Sequence, residues 1–153
     1  MTKKLSVSAI NTGTVIDHVR AGQALKIVKF LRILHDSQNK VTLGLNLSSN
    51  LVGFKDIIKI ENYRLTEDEA NQIAAFSPEA TINIIDDFEV THKNKIALPN
   101  IVEDVFICKN PACITHNEPM KSKFHLTEQG KKIHLTCYYC EKSFDKDQLK
   151  INS

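Results

Sequence analysis

CKNPAC, residues 108–113, and CYYC, residues 137–140, hold all four cysteines of the chain. The first 107 residues contain none. Four residues separate the first pair, two separate the second, and 23 lie between the pairs. This Cys-x4-Cys, x23, Cys-x2-Cys pattern offers four thiolates to one tetrahedral site. The short Cys137–Cys140 loop can aim two sulfurs at one ion, and Asn110 and Pro111 shape a wider turn to the same end. Disulfides are rare in the cytosol. A redox CxxC wants a strand-CxxC-helix context that Cys137 lacks. Four unconnected buried thiols would leave the pairing unexplained. The spacing therefore points to a structural Zn2+, one per chain, held by Cys108, Cys113, Cys137 and Cys140. Four sulfurs close the shell that a catalytic zinc keeps open.

The region around the cysteines explains the need for metal. From about residue 101 onward only some 50 residues remain, too few for a self-sufficient core. VEDVFIC, KFHLT, KIHLTC and SF read as short strands between turns, and a small antiparallel zinc-ribbon-like domain is expected. Its charge is balanced, eight Lys against seven Asp and Glu over residues 101–153. Nucleic-acid-binding ribbons are usually more basic, so this one is expected to touch protein.

The whole chain has 153 residues, 42% hydrophobic and 25% charged, which are the proportions of a water-soluble globular protein. Its net charge of +2 supplies no strong field toward nucleic acid or acidic lipid. No apolar run approaches a membrane span. The opening MTKKLSVSAINTGTV has no sustained apolar core, so no signal peptide is expected and a cytoplasmic location is.

The first hundred residues read as α+β. KLSVSAI (4–10) alternates like a strand, and NTGTVIDHV (11–19) reads as a loop built on Gly13. GQALKIVKFLRIL (22–34) places Leu25, Val28 and Leu31, and Ile27, Phe30 and Leu34, at helical spacing. KVTLGLNL (40–47) alternates strictly, with Val41, Leu43, Leu45 and Leu47 on one face. LSSNLVGF reads as a turn, and KDIIKIENYRL (55–65) as a strand. TEDEANQIAAF (66–76) opens with the capping box of Thr66 and Glu69 and is a helix, with Pro78 beyond its end. ATINIIDDFEV (80–90) reads as the last strand. The order β-α-β-β-α-β is that of ferredoxin-like folds. KNKIALPN (93–100) marks a boundary between domains at 1–98 and 99–153.

A sheet with helices on one face leaves the other open to a ligand. Lys55 and Lys59 point to the same side with Ile57 between them. Lys93 follows the last strand, and Asp17 and His18 follow the first. Three cations suit phosphates, and a carboxylate suits a base or ribose. The ordinary reading of strand lysines is a solvated edge. No Gly-rich phosphate loop is present, so a nucleotide bound here would meet no hydrolytic apparatus. The six histidines, His116 and His134 among them, are scattered, and no nucleophile stands in a recognisable motif. No catalytic site is expected.

GTVIDH (13–18), TLGLNL (42–47), KDIIKIEN (55–62), PEATINIIDDFEV (78–90), CKNPACITHNEP and CYYCEKSF follow one another in this order. Together they resemble the regulatory chain of aspartate carbamoyltransferase, over essentially the full length. The resemblance implies a non-catalytic chain with an N-terminal allosteric domain for nucleoside triphosphates and a C-terminal zinc domain that docks on the catalytic chain. It implies inhibition by CTP, activation by ATP and action of UTP together with CTP. It further implies feedback control of pyrimidine biosynthesis, and regulatory dimers joined to catalytic trimers in a dodecamer. Carried over by position, the nucleotide site falls on Ala9, Ile10, Val15, Asp17, His18, Lys55, Lys59, Asn83, Ile85, Val90 and Lys93. The lysines would contact phosphates and ribose, and backbone groups near Ile10, Ile85 and Phe88 would read the base. Where this chain has Ser8, Phe88 and Ala112, the family often has an acidic residue, an aromatic hydroxyl and Asn. The first two bear on the balance of responses to CTP, ATP and UTP. The third would weaken one interface hydrogen bond by about 1 kcal/mol. The alternative from another class is a free-standing zinc-ribbon protein of nucleic-acid or transcription machinery, which a basic, aromatic-studded sheet would favour.

Overall fold

Gly13 opens the strand on which the first half of the chain is built, not a loop. The computed structural model describes residues 9–32, 38–50, 53–130 and 132–152. In it Gly13–Arg20 forms β1, the central strand of five. Gly13 has φ +147°, and a Cβ there would collide with the Ile60 carbonyl. Inside a strand, glycine marks a close approach of backbones. The β-branched run Thr14, Val15, Ile16 then favours extended chain. The strand expected over 4–10 lies outside the described residues except for Ala9 and Ile10, which join no strand.

The chain separates into two units, residues 1–97 and 98–153. The first continues with α1 (Ala24–Leu31), β2 (Val41–Ser49), β3 (Gly53–Glu61), α2 (Glu67–Ile73), β4 (Thr81–Asp86) and β5 (Glu89–Lys95). Its sheet has the order β2-β3-β1-β4-β5, with every pairing antiparallel. The β-α-β-β-α-β order therefore holds, with β1 at 13–20 as its first strand and β5 added. Residues 80–90, read as one strand, form most of a hairpin instead. Asp87 and Phe88 have φ of +52° and +66°, and two successive positive φ values make the tight turn that suits a twisted hairpin. Residues 93–95, read as part of a linker, belong to β5.

One face of this sheet carries the core. Ile16, Ile58, Ile60 and Ile82 are buried there together with Ile27 and Val28 of α1 and Ile73 of α2. The capping box of Thr66 and Glu69 is present in full. Phe30 packs against Phe76 with ring centroids 5.6 Å apart. Leu25, expected on the buried stripe, is 59% exposed, and Ala24 takes its place. The strict alternation of β2 also breaks. The register shifts between Gly44 and Leu47, where Asn46 has φ +59°. This bulge sends Leu47 to the face opposite Leu43 and leaves Leu45 exposed.

Asp56 ties three of these elements together. It is 1% exposed, and its carboxylate accepts N–H groups of Gly22 at 2.9 Å, Ala24 at 3.2 Å and Asn46 at 2.8 Å. The N-cap residue of α1, Gln23, supplies no side-chain cap. Asp56 therefore satisfies the orphan donors at the helix start from the neighbouring strand, and holds the β2 bulge with its other oxygen.

The second unit contains β6 (Ile101–Glu103), β7 (Phe106–Ile107), β8 (Lys123–Gln129), β9 (Lys132–Cys137), β10 (Ser143–Asp145) and β11 (Lys150–Ile151). β10-β9-β8-β6 form an antiparallel sheet, and β11 pairs with β7. VEDVFIC, read as one strand, is broken at Asp104, whose φ is +58°, into strands of different sheets. Val102, Phe106, Phe124, Leu126, Ile133, Leu135 and Ile151 make a small core, with Phe106 and Phe124 edge to face.

Asp56→Ala would orphan three backbone donors at once. The expected cost is about 2–4 kcal/mol of unfolding free energy. Urea denaturation followed in the first unit measures it, and a loss under about 0.5 kcal/mol, the scale of a neutral surface change, would show that water replaces the carboxylate.

Candidate functional site

The four cysteines arrive from two turns. Cys108 follows β7 and Cys113 precedes a 3-10 turn at Ile114–His116. Cys137 ends β9, and Cys140 lies in the turn before β10. All four sulfurs lie within 4.8 Å of one another. Cys108 and Cys140, and likewise Cys113 and Cys137, stand 3.7 Å apart. That is far longer than a disulfide of about 2.05 Å. It matches the edge, about 3.8 Å, of a tetrahedron whose corners lie about 2.3 Å from a central ion. Three of the four are buried. Neither His116 nor His134 joins the cluster.

The surroundings prepare these sulfurs for a cation. Asn110 donates its N–H to Cys108, Tyr139 and Cys140 donate theirs to Cys137, and Lys142 donates to Cys140. Thr115 Oγ1 donates to Cys113 Sγ at 3.2 Å. Without a cation the thiols compete. Burial pushes Cys108 and Cys137 up. Burial also acts against Cys140, but the Lys142 N–H, the Asn110 side chain and hydrogen bonds from Cys108 and Cys137 outweigh it and bring Cys140 down to about 7. Asn110 does more than form a turn. It also accepts the Ala112 N–H at 3.1 Å and so shapes the loop that carries both first cysteines.

The open face of the first sheet gathers the other candidates. Register places Lys59 of β3, Val15 of β1, Asn83 of β4 and Lys93 of β5 in one row across four strands. The next row carries Ile85, paired with Val90 across the β4–β5 hairpin. Ile10, Val15 and Ile85 form a buried apolar cluster, and Ile57 packs against it. The Phe88 N–H donates to the Asn11 carbonyl at 2.9 Å, which ties the hairpin tip to the segment carrying Ala9 and Ile10. Ala9, Phe88, Val90 and Lys93 are exposed around this floor.

A bulge in β1 shapes the other end. The register shifts between Ile16 and Val19, and His18 has φ +55°. Asp17 thereby stays on the open face while Val19 returns to the core. Lys55 donates to Asp17 Oδ1 at 2.8 Å, and the His18 N–H donates to the same oxygen at 2.6 Å. His18 Nδ1 stands 3.2 Å from Thr81 Oγ1, a contact that sequence reasoning missed because Thr81 lies 63 residues away. Burial raises the Asp17 carboxyl, but Lys55, the His18 N–H and the charge of both side chains outweigh it and hold it below its ordinary value. Burial pulls the Lys59 ammonium below the ordinary lysine value, and Asp17 offsets this only in part.

One group in the row stands out. Asn83 Oδ1 is buried and has no hydrogen-bond partner among the described residues. An unpaired buried acceptor costs about 1–3 kcal/mol. Its neighbours in the row are Val15 on one side and Lys93 on the other.

Two families match the chain, one for each unit. Residues 5–97 match the allosteric domain of the aspartate carbamoyltransferase regulatory chain, and residues 100–150 match its metal binding domain. Among curated proteins, the regulatory chain of Tolumonas auensis is 49% identical over 145 residues, covering 95% of this chain and 94% of its own length. That of Aeromonas hydrophila is 50% identical over 144 residues, covering 94% and 93%. That of Photorhabdus laumondii is 46% identical over 149 residues, covering 97% and 96%.

Cys137→Ser removes one corner of the sulfur cage. The variant is expected to lose bound metal and to unfold residues 98–153 while the first unit still melts cooperatively. Metal analysis and backbone NMR of the full chain measure both, and full retention of metal would show that three sulfurs suffice. In the unsubstituted chain, binding must displace the protons that burial keeps on Cys108 and Cys137, so metal affinity should fall as pH drops through the neutral range, and more steeply below about 7, where Cys140 protonates as well.

Proposed function

This chain belongs to the family of aspartate carbamoyltransferase regulatory chains, and from that membership we propose that it senses nucleoside triphosphates on its first sheet and carries the signal to catalytic chains held by its metal module. It is a regulatory, non-catalytic chain. The proposed effectors are CTP as inhibitor, ATP as activator and UTP acting with CTP, so that pyrimidine biosynthesis is under feedback control. The proposed assembly is a dimer of regulatory chains joined to catalytic trimers in a dodecamer, in the cytoplasm. No helix among the described residues is long and apolar enough to cross a membrane.

The observation that carries the nucleotide site is the row Lys59, Val15, Asn83, Lys93 beside an apolar floor. Cations suit the phosphates, and the unpaired Asn83 oxygen suits a donor on the nucleoside. Asp17 and His18, at one end, and the backbone around Ile10, Ile85 and Phe88, at the other, complete a site of nucleotide type. Val90 and Ala9 border it. Ser8 lies outside the described residues.

In the metal module, the proposed ion is zinc. Four sulfurs, a soft donor set with 3.7 Å between Cys108 and Cys140 and between Cys113 and Cys137, suit it and leave no open position for chemistry. The ion would fold the module, and the module would dock. Ile107, Ile114, Tyr138 and Tyr139 are exposed large side chains on this small unit, of the kind that a protein partner covers. Family membership sets aside the free-standing nucleic-acid reading, for which the near-neutral charge also supplies no field.

Lys59→Ala is expected to weaken CTP and ATP by about 1.5–3 kcal/mol, the scale of a charged hydrogen bond, and to leave assembly intact. Calorimetry with each nucleotide measures it, and unchanged affinity for both would remove Lys59 from the site.

Separability gives a second test. Residues 99–153 with zinc are expected to bind a catalytic trimer, to give a complex indifferent to CTP and ATP, and to unfold on chelation. Titration of the fragment into trimer, followed by assay with each nucleotide, decides the matter. A nucleotide effect in that complex would place an effector site outside the first sheet. Failure to bind despite bound zinc would show that residues before 99 contribute to docking.

A further inference from the structure

Of the lysines on the open face, Lys55 lies against a built-in carboxylate. Lys55 Nζ lies 2.8 Å from Asp17 Oδ1, and the two side chains are about equally sheltered, 20% and 21% exposed. The carboxylate is fixed as well as close. The bulge at Asp17 and His18 holds it on this face, and the His18 N–H anchors the oxygen that Lys55 uses. Partial burial keeps water from screening the pair fully. Asp17 Oδ2 makes no hydrogen bond among the described residues.

We propose that Asp17 is an internal counter-anion that withdraws Lys55 from phosphate binding and so sets how tightly the site grips any polyphosphate. This rests on the reading that the open face takes nucleotide phosphates. A carboxylate built into a phosphate site costs affinity. A sensor gains from that cost, because it must release its effector when the free concentration falls. Asp17 is thus a residue that sets affinity without having to touch a phosphate.

The test uses the full metal-bound chain and inorganic triphosphate, which has no sugar or base to confuse the outcome. Asp17→Asn keeps an acceptor for the His18 N–H and removes only the charge. It should bind inorganic triphosphate about five- to tenfold more tightly than the unsubstituted chain, with a steeper loss of affinity on adding salt, because a third cation is released. The double variant Asp17→Asn/Lys55→Gln removes a pair of zero net charge and should bind within about twofold of the unsubstituted chain. A thermal melt of each variant shows whether it is folded at the temperature of titration. If Asp17→Asn is too unstable to titrate, the double variant decides alone.

Unchanged or weaker binding of triphosphate by Asp17→Asn would overturn the proposal. So would a double variant weakened more than about fivefold, since Lys55 would then be a phosphate ligand in spite of Asp17. CTP titrated into the unsubstituted chain separates the two levels of failure. No CTP binding at all removes the nucleotide site itself. CTP binding together with either adverse triphosphate result removes only the role given to Asp17.

Discussion

The register of β1 against its two neighbours is the constraint on which the first unit depends. Val15 faces Lys59 on one side and Asn83 on the other. A slip of one residue along either neighbour would turn lysine or asparagine into the core and expose isoleucine. Three features prevent that slip. Gly13 admits the Ile60 carbonyl at one end of the strand. The bulge with His18 at positive φ absorbs one residue at the other. Between them Ile16, Ile58, Ile60 and Ile82 bury one face completely or nearly so. The functional face is therefore specified by the buried face behind it. The isoleucines decide where the lysines point.

Asp56 extends the same logic to the sheet's edge. It neighbours Lys55 in sequence and points the opposite way. Its buried carboxylate joins the start of α1 to the β2 bulge. Two successive residues of β3 thus serve two faces, one meeting Asp17 in the open and the other organising backbone in the core. The second unit lacks any such depth. Its few buried apolar side chains could not hold six short strands unaided. Four sulfurs at tetrahedral spacing replace the missing core, and the N–H donors around them belong to the turns that the metal would order.

Local pattern made much of this legible. The cysteine spacing pointed to one cluster because two short turns can deliver four sulfurs wherever their strands lie. The Thr66 and Glu69 capping box is a contact within one turn, so it could be read directly. The alternation of Lys55, Ile57 and Lys59 put them on one face. What failed were the places where tertiary contact overrides the local signal. Gly13 looked like a loop residue because the carbonyl it admits, at Ile60, is 47 residues away. The break at Asp87 and Phe88 escaped because neither is glycine, and positive φ at such residues leaves little trace in sequence. Bulges at Asn46 and His18 each hid a change of face. Thr81 beside His18 and Asp56 beneath α1 were invisible for the same reason: their partners are remote, and a lone Thr or Asp on a strand carries no periodic signature.

Regulation by such a chain imposes one more requirement. A nucleotide shifts an assembly only by the difference in its affinity for two states, however tightly it binds either. In the proposed site, two effectors with opposite effects share the same phosphate chain. The lysines that grip phosphate cannot by themselves tell them apart. Discrimination must arise where the nucleosides differ, at the Ile10, Ile85 and Phe88 end, where the Phe88 N–H fastens the hairpin tip to the Asn11 carbonyl. The phosphate end, with Lys59, Lys93 and a carboxylate in opposition, then sets the concentration range over which any effector acts. Under this proposal, affinity and sign of response are thus assigned to opposite ends of one face. Either can change in evolution without the other, and a substitution such as Phe88 for an aromatic hydroxyl would alter the sign or size of a response while leaving the grip on phosphate intact.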